Sequence, residues 1–121
     1  MKSISECLIP YRSFLTAEKQ RISMLIRQAE AQNRQDEANL LKIRLNIVGV
    51  FETVASADER QTATWETFCQ RYESRFDTLT APWHTRLSAA KEHGDLMTQT
   101  IEEEKLNMAN QIKNAFFSSK E

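Results

Sequence analysis

The stretch Ala38 to Ala55, ANLLKIRLNIVGVFETVA, limits the fold more than any other part of the chain. At about 100° per residue, Leu40, Leu41, Ile43, Leu45, Ile47, Val48, Val50, Phe51 and Val54 sweep more than half of a helical wheel. Asn39, Lys42, Asn46, Gly49 and Thr53 fall on one narrow stripe. The run is far longer than a strand of ~5–6 residues and contains no turn signal. A helix this apolar has to be covered on two or three sides by other helices. Two Gly and two Pro in 121 residues leave few turns, so a few long helices are expected. The expected fold is all-α: an antiparallel helical bundle of four long helices, five if the chain breaks at Gly94. The length suits a single domain spanning residues 1–121.

Within the apolar arc, Arg44 is out of place. Its helical neighbours at three and four residues are Leu40, Leu41, Ile47 and Val48. A guanidinium there needs a carboxylate, because a buried unpaired charge costs several kcal/mol. Glu18 is the second misplaced charge, inside the apolar face of the first helix. A hairpin turning near residue 34 sets Glu18 level with about residue 50, which makes direct pairing with Arg44 marginal. Glu104 or Glu66 on later helices are the alternative partners. The expectation is an ion pair among Arg44, Glu18 and Glu104 that fixes helix register. The competing reading is a polar pocket around Arg44 and Glu18 for a small acidic ligand.

From the N-terminus, Ser3 and Glu6 fit a capping box. Helix 1 then carries Leu8, Tyr11, Leu15, Ile22, Leu25, Ile26 and Ala29, with a kink expected at Pro10 rather than a fresh start, a start near Ser5 or Ile9 being the alternative. Asn33 suits the left-handed residue that ends a helix, and Asp36 suits the cap of the next. The turn segment resembles that of tetratricopeptide-type repeats. No second copy follows at a ~34-residue period, so no repeat array is expected. Ser56 to Glu59 reads as a capping box opening helix 3, whose stripe is Trp65, Phe68, Cys69, Tyr72, Phe76 and Leu79. Thr80 caps helix 4, with Pro82 in its first turn.

Helix 4 raises the main architectural question. Unbroken from Ala81 to Phe117 it is about 55 Å long, whereas helix 3, from Ser56 to Leu79, is about two thirds of that. The overhang carries too much apolar surface for water. Either the chain bends at Gly94-Asp95 and folds back, or the tail packs on a second copy. The apolar phase runs through Gly94 undisturbed, which favours continuity and a homodimer. Its expected interaction surface is Leu106, Met108, Ile112, Phe116 and Phe117.

The patterns of common chemistry are missing. A di-iron bundle needs Glu-x-x-His, but His84 follows Ala81 and His93 follows Ala90 at that spacing. Cys69 and His84 have no companions at zinc spacing. Cys69 on an apolar face reads as a small hydrophobe rather than a nucleophile. No Gly-rich phosphate loop is present. Glu102, Glu103 and Glu104 read as a solvated acidic face. The net charge of −1 argues against bulk electrostatic nucleic-acid binding. It divides unevenly: residues 1–48 hold eight Lys/Arg against five Asp/Glu, and the remainder eight against twelve. The two halves are expected to complement each other within the fold.

No apolar run approaches the ~20 residues that span a membrane, and no secretory leader is expected. Cys7 and Cys69 do not read as a disulfide framework, so a reducing cytoplasm is expected. Taken together, the sequence points to a non-enzymatic interaction or structural module that self-associates and needs no cofactor or metal. A ligand-binding or regulatory bundle is the alternative.

Overall fold

A computed structural model describes residues 2–120. The helices are α1 (Ile4–Cys7), α2 (Ile9–Ala31), α3 (Gln35–Arg60), α4 (Trp65–Glu73), α5 (Arg75–Thr78), α6 (Ala81–His93) and α7 (Leu96–Ser119). Among the described residues there is no strand. Single-residue joints at Leu8 and Ser74 separate α1 from α2 and α4 from α5, so the chain forms five helical rods. Among the described residues no helix is long and apolar enough to cross a membrane.

The apolar rod lies within α3, which packs against α2, α7 and α4. Ile47, Val48, Phe51 and Ala55 are buried along it. Helices α2 and α3 form an antiparallel hairpin. Arg12 bonds Glu59 at 2.7 Å, Lys19 bonds Glu52 at 3.0 Å, and Lys42 bonds Glu30 at 3.0 Å. Seven residues forward along α2, from Arg12 to Lys19, match seven back along α3, from Glu59 to Glu52. In the first two pairs a basic residue of 1–48 meets an acidic residue of the remainder, whereas Lys42 and Glu30 both belong to 1–48.

Two helix ends share one device. Asn33 has φ 58° and Gly94 φ 68°. In each case the next residue donates to the carbonyl five back: Arg34 to Ala29 at 2.8 Å, and Asp95 to Ala90 at 2.9 Å. A left-handed residue at this point satisfies carbonyls that the ending helix leaves open. At Gly94 the reversal is completed at once, because Asp95 caps α7 by accepting from the Thr98 backbone N–H at 3.1 Å.

Helix 4 is therefore broken at Gly94, against the preferred continuity. The reason is burial. Turning there lets α7 run back along α3 and α2, which carries Met108, Ala109, Ile112 and Phe116 into the core. The undisturbed apolar phase was no evidence for an unbroken helix, since a tight turn lets each helix set its own rotation. Asp36 and Leu40 face Leu96 and Ile101 across one cleft, and Arg44 meets Glu104, so α3 and α7 run parallel. Helix α6 lies on the outside of α7 and buries only Ala90.

Four local expectations are corrected. Pro10 sits in the first turn of a new helix after the joint at Leu8, where its missing N–H costs nothing, instead of kinking a continuous one. Asp36 lies inside the first turn of α3, and the N-cap position is Arg34. Ser56 to Glu59 open no helix, because α3 continues to Arg60 and Asp58 is drawn inward as a buried counter-ion. The capping box that starts α4 is Thr64 with Thr67. Thr80 does occupy an N-cap position, but its hydroxyl donates back to the Phe76 carbonyl at 2.7 Å.

Candidate interaction site

An apolar cleft opens between the N-terminal halves of α3 and α7. Asp36, Asn39, Leu40 and Ile43 form one wall, and Leu96, Met97, Thr100 and Ile101 form the other. Its volume is about 420 Å³. Both walls follow helical spacing: positions 36, 40 and 43 stack along α3, and 97 and 101 along α7. Because Asp95 caps α7, Leu96 and Met97 sit in its first turn, at the very end of the bundle. They are 73% and 76% exposed. Leu40, Ile43 and Ile101 are half-buried at the floor. Leaving a side chain such as Leu or Met in water instead of burying it forgoes about 1.5–3 kcal/mol.

This site was not legible beforehand. Helical periodicity places Leu40 and Ile43 on the covered arc of the central helix, and an apolar phase undisturbed through Gly94 keeps Met97 on the apolar face of helix 4. The signal that could have found them is Gly94-Asp95, a stop followed by a cap, which resets the rotation of everything after it.

Three of the five residues expected to form an interaction surface at the C-terminal end lie in the chain's own core. Met108, Ile112 and Phe116 are fully buried within the chain, while Leu106 and Phe117 are half-buried. Phe116 is the hub of an aromatic cluster. Its ring centre lies 5.1 Å from Tyr11, 5.1 Å from Tyr72 and 6.2 Å from Phe76. The chain supplies its own cover for these residues by folding back at Gly94.

Arg44 and Glu18 are not brought together. Arg44 reaches across to α7 and bonds Glu104 at 2.9 Å, with side chains 18% and 25% exposed. Glu18 instead accepts both donors of its own helical neighbour Arg21, at 3.0 and 2.9 Å. The hairpin register is the reason, since Glu18 lies next to the Lys19–Glu52 step, two helical turns from Arg44. A half-buried pair of this kind adds little net stability over an apolar side chain, but removing one partner strands the other. Replacing both partners, Arg44→Met together with Glu104→Met, is accordingly expected to leave stability within about 1 kcal/mol of wild type or above it. Arg44→Ala should lower stability by about 1–2 kcal/mol. Thermal melts of the two variants decide this, and if neither shifts, the pair is dispensable.

The acidic run 102–104 is not one solvated face. Glu103 is exposed and Glu104 holds Arg44, but Glu102 is buried under α6. Arg86 donates to Glu102 at 2.5 Å, and the Lys105 ammonium lies 2.9 Å away. Burial alone pushes the Glu102 carboxyl up, but the Arg86 and Lys105 hydrogen bonds outweigh it and hold it below the ordinary range.

Two further polar groups lie inside the fold, and sequence reasoning passed over both. Asp58 accepts from Arg71 Nε at 2.8 Å and from Arg75 Nε and Nη2 at 3.1 and 2.8 Å. Burial raises its pKa, and the two arginines more than reverse this, so it stays charged well below the usual carboxylate range. Tyr11 and Tyr72 join hydroxyls at 2.5 Å, and Tyr72 also donates to the Phe51 carbonyl at 3.1 Å. Burial drives both phenols far above their usual pKa, so both stay protonated. These groups are satisfied by one another.

Among the described residues, no three His, Cys, Asp or Glu side chains stand close enough to hold a metal ion. Cys7 and Cys69 are free thiols, and burial pushes the Cys69 thiol up. The chain matches no protein-family model, no curated protein and no solved structure.

Proposed function

We propose that this chain is a non-enzymatic helical interaction module that docks a partner at the cleft between α3 and α7. One observation carries the reading: two large apolar side chains, Leu96 and Met97, stand three-quarters exposed side by side at an apolar cleft, whereas the other strongly exposed ones, Ile9 and Met24, sit singly along α2. A cap placed one residue before them holds them there. Scattered apolar residues on a surface need no explanation, but a contiguous patch lining a concavity is the usual mark of a binding surface. Methionine suits such a place because its flexible thioether adapts to different partner shapes. A reducing compartment such as the cytoplasm belongs to the same proposal, since it keeps both thiols free.

The test is covalent trapping in the cell that makes the protein. With p-benzoylphenylalanine in place of Met97, irradiation should give a discrete protein adduct. The same group at Glu66, exposed on α4, should give none. Absence of an adduct at position 97, or identical adducts at both positions, would refute the docking site.

A further inference from the structure

We infer that the occupant of the cleft is a second copy of this chain, held face to face about a two-fold axis. This rests on reading the cleft as a docking site. It differs from the dimer expected at the C-terminal end, where Met108, Ile112 and Phe116 are taken up by the core.

Three observations point to self-pairing. The first is shape. A two-fold interface needs one patch that complements itself, so projection and recess must lie on the same face. Here Leu96 and Met97 project at one wall, and Leu40, Ile43 and Ile101 line the recess beside them. In a two-fold pair, each copy's Met97 enters the other's recess.

The second is size. Two side chains exposed to 73% and 76%, together with the half-buried floor, offer on the order of 400 Å² of apolar surface per copy. At the ordinary apolar fraction of an interface, this corresponds to about 650 Å² per copy in all. Standard stable interfaces bury about 800 Å² per partner, so the patch supports a weak, reversible dimer and not an obligate one.

The third is charge. The cleft lining holds a single ionisable residue, Asp36. The flanking turns carry both signs: Arg34 paired with Glu37 at one edge, and Lys91 and His93 beside Glu92 and Asp95 at the other. A mixed rim can pair with its own two-fold image, whereas a rim of one sign would repel it.

Analytical ultracentrifugation of the full chain, from about 1 µM to about 1 mM, tests the inference. The weight-average mass should rise from 14.0 kDa towards twice that value, with a midpoint on the order of 10–100 µM. Met97→Glu puts a charge at the centre of the contact, at a position exposed enough for the fold to be kept. It should weaken the dimer at least about tenfold, with an unchanged melting temperature. A wild-type protein that stays monomeric overturns the inference, as does a Met97→Glu variant that dimerises like wild type. Monomeric behaviour combined with a cellular adduct to a different protein at position 97 would remove the second copy while leaving the docking site standing. Monomeric behaviour with no adduct would remove both.

Discussion

Phe116→Ala is expected to lower stability by about 3–5 kcal/mol. The side chain is fully buried. Its ring meets Tyr11 of α2, Phe68 and Tyr72 of α4, and Phe76 of α5, at centroid distances of 5.1, 6.4, 5.1 and 6.2 Å. Truncation opens a cavity that four helices would have to close together, and close packing prevents that. Chains of this size have total stabilities of only about 6–18 kcal/mol, so the loss is a large fraction. Urea denaturation should show a lower midpoint with an unchanged slope. Met97→Ala is the control, expected within about 0.5 kcal/mol because the side chain touches the fold little. If Phe116→Ala unfolds at the wild-type urea concentration, the C-terminal end of α7 does not pack into the core.

Loss of the Asp58 carboxylate is the second large effect. Asp58→Ala leaves Arg71 and Arg75 facing one another without a counter-ion, joined otherwise only by the Arg71 bond to Gln61 at 2.6 Å. Breaking a fully buried pair costs about 3–5 kcal/mol; both arginines reach water here, which brings the expectation to about 2–4 kcal/mol. The same group makes stability depend on acid. Its pKa is lowered on folding from an ordinary value near 3.9, so the native state binds fewer protons than the unfolded chain in that range. Its contribution is therefore complete above about pH 5 and is lost as pH falls through 4 and then through the lowered native value. Glu102 follows the same sign for the same reason. Denaturation measured from about pH 7 down to about pH 2 should show stability falling with acid, and Asp58→Asn should flatten that fall. Equal slopes for wild type and Asp58→Asn would mean that Asp58 is not held as an ion pair.

The parts that local chemistry controls were readable in advance. The capping box of Ser3 and Glu6, the left-handed turn at Asn33, the inward aromatic stripe of Trp65, Phe68, Tyr72 and Phe76, and the need of Arg44 for a carboxylate all depend on neighbours a few residues away or on one insistent energetic demand. That Glu104 meets this need, and not Glu18 or Glu66, is decided by how α7 lies along α3. The misplaced surface had a different cause. Met108, Ile112 and Phe116 were judged by the length of an unbroken helix, and a reversal at Gly94 removes that premise. Ser56 to Glu59 failed in the opposite way: the pattern of a helix start is present, but Asp58 serves two arginines that lie 13 and 17 residues further on.

By itself, then, the sequence determined that this chain folds as a bundle of helices around the rod 38–55, because apolar periodicity and the scarcity of Gly and Pro leave no other way to hide that surface. Only the tertiary structure decided which apolar residues were left outside. Helical periodicity assigns each side chain to a face, but whether that face meets a neighbour depends on how far the next helix reaches. At Gly94 that reach is set by a turn that hides Phe116 and leaves Leu96 and Met97 in water.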